Sequence, residues 1–281
     1  MTKLSKYCLA LIIIFAARSS IHPQNVLQNQ FNYAKKLFDK EQYYDSITEF
    51  KRLLFFDNDR QYGYAANNYI AKAYKAGAKF SDAIIFFTYS GMSAGNAAEM
   101  FNAEINIVRI NILRRTTDRA LQLLDFLAAD KRFANKGKEI SYWKGWAYIF
   151  ADEWGKAANS FAESEGSREL YLLCTKVENE KYSVGFAQII SHFIPGAGQI
   201  YTGHYLSGLL SLGWNVLWGY LSVTAFIQNR VFDGLAITNF LWLRFYNGNL
   251  QNAEKFAVEK NLKISNRALN FLQNEFHGQK P

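Results

Sequence analysis

Through residues 27 to 165 the apolar side chains fall three, four and seven positions apart, the spacing that gathers them on one face of an α-helix. The pattern also copies itself. Segments beginning at Lys40 (KEQYYDSITEFKRLL), Gly77 (GAKFSDAIIFFTYS), Arg114 (RRTTDRALQLLDFL) and Ala151 (ADEWGKAANSFAES) align so that Tyr43, Phe80, Thr117 and Trp154 stand 37 residues apart. Three positions on, the residue is small in every copy (Ser46, Ala83, Ala120, Ala157), and seven on it is bulky and apolar (Phe50, Phe87, Leu124, Phe161). Such a stripe forms notches and knobs that a neighbouring helix can approach closely. Upstream of each segment a second helix is expected, carrying Ala34 and Leu37, Ala71 and Tyr74, and Gly145 and Tyr148. The third copy departs most, with Asn111 at the aromatic place and Thr117 at the turn.

Beyond residue 180 the pattern changes. From Tyr182 to Asn229, 48 consecutive residues lack Asp, Glu, Lys and Arg. Leu206–Ile227 is 22 residues long, against the roughly 20 that a helix needs to cross the hydrocarbon of a bilayer. Val231–Leu250 is a second candidate, with Asp233 and Arg244 inside it and Trp242 and Tyr246 placed to sit at headgroup level. The short link QNRVFDG makes the pair an antiparallel hairpin. Gly203, Ser207, Ser211, Asn215 and Gly219 recur every fourth residue, a narrow face expected to meet the second span or another copy, with an interhelical hydrogen bond from Asn215. Ser183–Ile194 is too short to span and is expected along the interface or dipping in and returning. The other reading is a hairpin inside a soluble core, since Asn215, Gln228, Asn239 and Asn247 are costly in lipid unless paired.

Two resemblances follow from these residues. The 37-residue unit resembles the tetratricopeptide repeat, a helical hairpin with a small residue on its second helix and an aromatic four further on. That resemblance implies stacked hairpins and a groove for a peptide or partner helix. The stretch PGAGQIYTGHYLSGLL and the later RFYNGNLQNAEKFAVEKN resemble the Pro-Gly-x-Gly-Gln-x-Tyr-x-Gly membrane module of uncharacterised bacterial envelope proteins. Pro195, Gly196, Gly198, Gln199, Tyr201 and Gly203 carry it, with Tyr246, Gly248 and Asn249 as the later signature. It implies a membrane placement and no reaction.

The N-terminus reads as an export signal: Lys3 and Lys6, an apolar run from Tyr7 to Ala17, then a polar exit. The run is short for a span, so removal is expected, with a short uncleaved anchor as the alternative. The cysteines are Cys8 and Cys174; loss of the leader would leave one thiol and no internal disulfide. Only three prolines and 16% aromatic residues favour an all-helical chain. A formal charge of +8 is interspersed with acids rather than gathered in a stripe, so nucleic acid is not expected as a partner.

Candidate chemistry changes this picture little. In HFIPGAGQIYTGHY, residues 192–205, Gly196 and Gly198 start a dinucleotide fingerprint, but Tyr201 stands where its third glycine belongs. No Lys and Ser or Thr follow as a phosphate loop requires. His192 and His204 are twelve apart with no Cys, Asp or Glu between them, poor support for a metal. Pro195-Gly196 therefore reads as a turn, and Gly198 and Gly203 as close backbone approaches. No catalytic motif is present, and no enzyme activity, cofactor or metal is expected.

The expected organisation is a signal peptide (1–24), a tetratricopeptide-like repeat domain with a capping helix (25–180), a membrane hairpin module (181–252) and a short amphipathic tail (253–281). The expected function is a scaffold of the bacterial inner membrane, its repeats on the exported side. They would bind a protein or peptide partner; the hairpin would contact lipid and could pair with another copy. The alternative is a transport or insertion component in which Gln199, Asn215 and Asn239 line a polar path.

Overall fold

The structure, a computed structural model, describes residues 23–164 and 166–281; the expected leader and Cys8 lie outside the described residues. Every regular element among them is helical. The chain divides into two compact units, one ending at Arg168 and one comprising Glu169–Lys280.

The first unit holds α1 (Pro23–Asp39), α2 (Tyr43–Phe56), α3 (Gly63–Ala76), α4 (Phe80–Met92), α5 (Ala97–Leu113), α6 (Thr117–Ala129), α7 (Gly137–Phe150) and α8 (Trp154–Ala162). Residues Lys131–Lys136 form a 3-10 turn leading into α7. Each helix packs on the next. The first helices of successive pairs also touch (α1 with α3, α3 with α5, α5 with α7), whereas the second helices make no comparable mutual contact among the described residues. The first helices thus lie on the tighter side of the stack.

The period of 37 reappears in the backbone. Between the helices of each pair, Glu41, Ala78, Arg115 and Asp152 adopt positive φ values of 60°, 55°, 59° and 63°. A left-handed conformation costs a non-glycine residue about 1–2 kcal/mol. It is offset by a hydrogen bond that closes each helix end: the amides of Gln42, Lys79, Thr116 and Glu153 donate to the carbonyls of Leu37, Tyr74, Asn111 and Tyr148 at 2.9–3.0 Å.

Packing follows the repeat. Ser46, Ala83, Ala120 and Ala157 are fully buried, as are Phe50, Phe87 and Leu124, with Phe161 nearly so. Trp154 is buried, while Tyr43, Phe80 and Thr117 are half-buried. Close approach is real: a Cβ on Gly145 would fall 2.6 Å from the Phe161 ring. In the divergent third copy a polar set replaces the missing aromatic. The Asn111 amide donates to Ile107 O at 2.9 Å, and the Thr116 hydroxyl lies 2.9 Å from Asn111 Oδ1.

The second unit begins in α9 (Arg168–Glu180), which the sequence grouped with the repeats as a cap; its Glu180 carboxylate lies 4.0 Å from Arg267. Then come α10 (Val184–Phe193), the one-turn α11 (Ala197–Tyr201) and α12 (Tyr205–Ile227). Ser183 caps α10 by accepting the Phe186 N–H at 3.2 Å. The 23 residues of α12 extend about 35 Å, and this helix is long and apolar enough to cross a membrane. A tight turn at Gln228–Arg230, with Asn229 at φ 59°, returns the chain antiparallel.

The returning helix differs from expectation. Val231–Ala236 (α13), a π segment at Ile237–Trp242 and Leu243–Asn274 (α14) run on without a break, each junction residue keeping helical φ and ψ. The short separate tail expected after residue 252 is the far half of this one helix: the onset of charge at Glu254 changes its surroundings, not its backbone. The π segment has a local cause, because Thr238 Oγ1 donates to Gly234 O at 2.7 Å and Asn239 Nδ2 to Leu235 O at 2.9 Å. These side chains compete for carbonyls that α-helical amides would use.

Candidate functional site

The motif of residues 195–203 sits where α10, α11, α12 and α14 meet. Gly196 turns the chain with φ 94°, and a Cβ there would collide with the Gly208 carbonyl of α12. One on Gly198 would collide with Ala187 O, Ser191 Oγ and Ala253 Cβ. Only glycine admits these crossings.

Asn249 is the hub of the junction. Its Oδ1 accepts the Gly196 N–H at 2.7 Å, Gln199 Nε2 at 3.0 Å and Ser211 Oγ at 3.0 Å; its Nδ2 donates to Ser191 O at 3.0 Å. Ser191 Oγ accepts the Gly198 N–H at 2.9 Å. Ser191, Gln199 and Thr202 are fully buried, and Asn249 is 1% exposed. Four chain segments are tied through one amide, so the motif serves as a polar bolt between helices rather than a phosphate cradle.

The neighbouring residues have separate partners. Half-buried Tyr201 accepts the Ser183 N–H at 3.2 Å and meets Tyr182 and Phe186 edge-on. Gly203 takes φ 81° at the end of α11. The Pro195 ring is half-buried. His192 bonds Tyr246 at 3.1 Å, whereas His204 stacks on Phe256 with centroids 4.0 Å apart. The two histidines thus pair with different aromatic residues.

Along α12 the stripe of small and polar residues faces the returning helix. Ser207 and Ser211 line a groove with Arg244, Gly248, Asn249 and Asn252. A Cβ on Gly219 would sit 3.4 Å from Trp242. The expected interhelical bond from Asn215 is not made: its Nδ2 donates to Ser211 O on its own helix at 2.8 Å. Ser211 reaches Asn249 and Ser222 pairs with Thr238 instead, because a hydroxyl is short enough to bridge helices this close. Asn239 is exposed and bonded to its own helix.

The opposite face of the hairpin is apolar. Leu206, Leu209, Val216, Tyr220, Val223, Phe232 and Phe240 are all exposed, and only 17% of the apolar window of α12 is buried. On α10, Phe186, Ile189 and Phe193 are exposed as well.

In the first unit a second feature lies on the first helices. Lys35, Lys72 and Arg109 stand 37 residues apart, each one position after a fully buried residue (Ala34, Ala71, Val108). One position is about 100° around a helix, so all three leave their helices in the same direction. Lys75 lies one turn beyond Lys72. The Arg109 guanidinium is 4.8 Å from the centre of the Trp143 ring, and Lys72 Nζ is 5.4 Å from that of Tyr69. Desolvation, followed by the charge of Arg109, lowers the pKa of Lys72 and brings that of Lys75 down to about 8. Desolvation lowers Arg109 also, and raises Tyr142 beside it. Lys72 is nonetheless exposed over much of its surface. A site of this kind can attract an anion.

Cys174, the one cysteine among the described residues, is buried in α9 and pushed up to about 12 by desolvation, which leaves it protonated and unreactive at neutral pH.

Comparison with known proteins finds no match: no family model fits the chain, and no curated protein or solved structure is significantly similar to it.

Proposed function

We propose that this chain is a membrane-anchored scaffold of the bacterial envelope whose helical-repeat groove, on the exported side, binds a protein or peptide partner. The observation that carries the reading is the outward apolar face of the hairpin. Soluble monomers rarely expose contiguous apolar patches beyond a few hundred Å². Here most of the large apolar side chains of α12 and α13 face out, Leu206, Leu209, Val216, Tyr220 and Phe232 among them, while Gln199, Asn215, Ser222 and Asn249 face in. Lipid is the solvent that makes this arrangement favourable. In that setting α10, with its exposed Phe186, Ile189 and Phe193, lies along the interface. The two antiparallel spans return the chain to the side it left, which keeps the repeats and the charged end of α14 in one compartment. Stacked hairpins whose first helices lie on the tighter side form a tetratricopeptide-like groove, and anchoring raises the effective concentration of whatever it holds near the bilayer.

Fractionation tests the anchor. The mature chain is expected in the membrane pellet after high-salt and alkaline washes and to need detergent for release; a monodisperse protein in plain buffer would overturn the reading. The conduit alternative is tested by Asn215→Leu with Asn239→Leu, since both amides bond only within their own helices. A scaffold tolerates this pair, whereas a polar path loses its lining. Gln199 cannot serve in that test, because it is part of the Asn249 hub and its loss disturbs the fold under either reading.

A further inference from the structure

One cation of the hairpin stands apart from every other charge. Between Tyr182 and Ala253 the only side chains among Asp, Glu, Lys and Arg are Arg230, Asp233 and Arg244. Arg230 and Asp233 lie 3.7 Å apart beside the turn. Glu254, the first acid beyond Arg244, accepts the Gln188 amide at 2.9 Å. Among the described residues the Arg244 guanidinium has no hydrogen-bond, ion-pair or ring partner. An unpaired charge within an apolar span is costly, and such residues mark sites where something else supplies the counter-charge.

Arg244 lines the groove between α12 and α14, a cavity of about 490 Å³, within the roughly 300–1,000 Å³ of ligand sites. The lining is graded. Leu210, Trp214 and Phe245 form the end nearer the turn, with the Trp214 and Phe245 rings 5.4 Å apart and 19° from parallel. Ser207 and Asn252 form the end nearer the charged half of α14, and neither side chain has a partner among the described residues. Gly248 keeps the space between Arg244 and Asn252 open, since a Cβ there would meet nothing within 4 Å. No carboxylate lines the groove among the described residues.

We propose that this groove holds one anionic phospholipid, its phosphate on Arg244, Ser207 and Asn252 and an acyl chain along Leu210, Trp214 and Phe245. The inference rests on the hairpin crossing a membrane and names the lipid it selects; it is independent of what the repeats bind. Depth agrees with it. Arg244 follows Arg230 by fourteen residues, about 21 Å of helix, against about 30 Å of hydrocarbon. Its long side chain covers much of the remainder, which brings the guanidinium to headgroup level on the side opposite the turn. A guanidinium offers a phosphate two parallel N–H bonds, and the hydroxyl and amide add neutral donors. With no carboxylate present to receive an ammonium, a net-negative headgroup fits better than a zwitterionic one.

The test uses the full chain in nonionic detergent micelles with phosphatidylglycerol or phosphatidylcholine of the same acyl chains, bound lipid being counted by native mass spectrometry. One phosphatidylglycerol per chain is expected, held at least about fivefold more tightly than phosphatidylcholine. Arg244→Gln is expected to lower its affinity about tenfold or more, while the neutral pair Arg230→Gln with Asp233→Asn changes it less than about twofold. Circular dichroism confirms that each variant keeps its helices. Should Arg244→Gln fail to fold, the exposed Asn252→Leu replaces it, with a loss of about threefold or more expected. An unchanged affinity in the variant overturns the proposal, as does equal binding of the two lipids. Displacement of the lipid by millimolar inorganic phosphate overturns it in favour of a free anion, and a dimer that excess lipid does not disperse overturns it in favour of a second copy in the groove. A chain monodisperse without detergent sinks the anchor and the lipid site together, whereas one that needs detergent yet shows no lipid preference sinks the lipid site alone.

Discussion

In the repeat unit the fully buried side chains include Phe50, Leu53, Phe87, Leu124 and Trp154, and lysines and carboxylates occupy much of the outside. In the hairpin Gln199, Thr202, Asn215, Ser222 and Asn249 are buried, while Leu206, Leu209, Val216, Phe232 and Phe240 face outward. Both units are built from the same hydrogen-bonded helices, so backbone geometry does not distinguish them. What differs is the force that brings helices together. Apolar burial can drive association of the first unit in water. The second is joined by small residues and hydroxyl and amide bridges, forces suited to surroundings as apolar as the side chains themselves.

The sharpest way to break this contrast is at the hub. Asn249→Leu strands the Gly196 amide and the Ser211 hydroxyl without their acceptor, each worth about 1–3 kcal/mol when buried, and leaves the Gln199 amide only the backbone carbonyl of residue 249. The second unit is expected not to assemble, read as loss of a protease-resistant fragment starting near residue 169 in detergent. Survival of that fragment would mean that apolar packing, not the hub, joins the helices.

A smaller effect separates inside from outside by the same residue type. Phe87→Ala, in the repeat core, is expected to cost about 3–5 kcal/mol. Phe240→Ala, on the outer face of the hairpin, should change stability in micelles by no more than about 0.5 kcal/mol. Equal losses in denaturant titrations would show that the outer face is packed against protein.

The smallest effect is a pH slope. Unfolded Lys75 keeps its proton to its ordinary 10.5, whereas in the fold it is lost at about 8. Between those values the unfolded chain binds more protons, so stability rises with pH through this window. Lys75→Met should flatten the thermal midpoint's rise over that range. An unchanged slope would place its origin elsewhere.

Much of the first unit could be read from sequence because its packing is periodic. The small residues at 46, 83, 120 and 157 and the large ones seven places after each register position are all buried. The left-handed turn residues carried no such signal: Glu41, Ala78, Arg115 and Asp152 share a conformation imposed by the closing hydrogen bond, not by a glycine. The cationic row was visible at the same interval, yet charge on a helix reads as solvation until the buried neighbours at 34, 71 and 108 show that it leaves one side. In the second unit the glycines of the motif marked the crossing, but the role of Asn249 depends on contacts some 50 residues away. The module boundary expected at 252 falls inside one continuous helix, because charge begins nearby while nothing there breaks a helix.

That uninterrupted helix has a mechanical consequence. From Val231 to Asn274 it forms one rod, apolar where it pairs with α12 and charged beyond Glu254. Its last 32 residues span about 48 Å, so a tilt of about ten degrees at the apolar end sweeps the charged tip through about 8 Å. A change in bilayer thickness or in packing around the π segment would thus be magnified at the rod's other end, with no joint in between to absorb it.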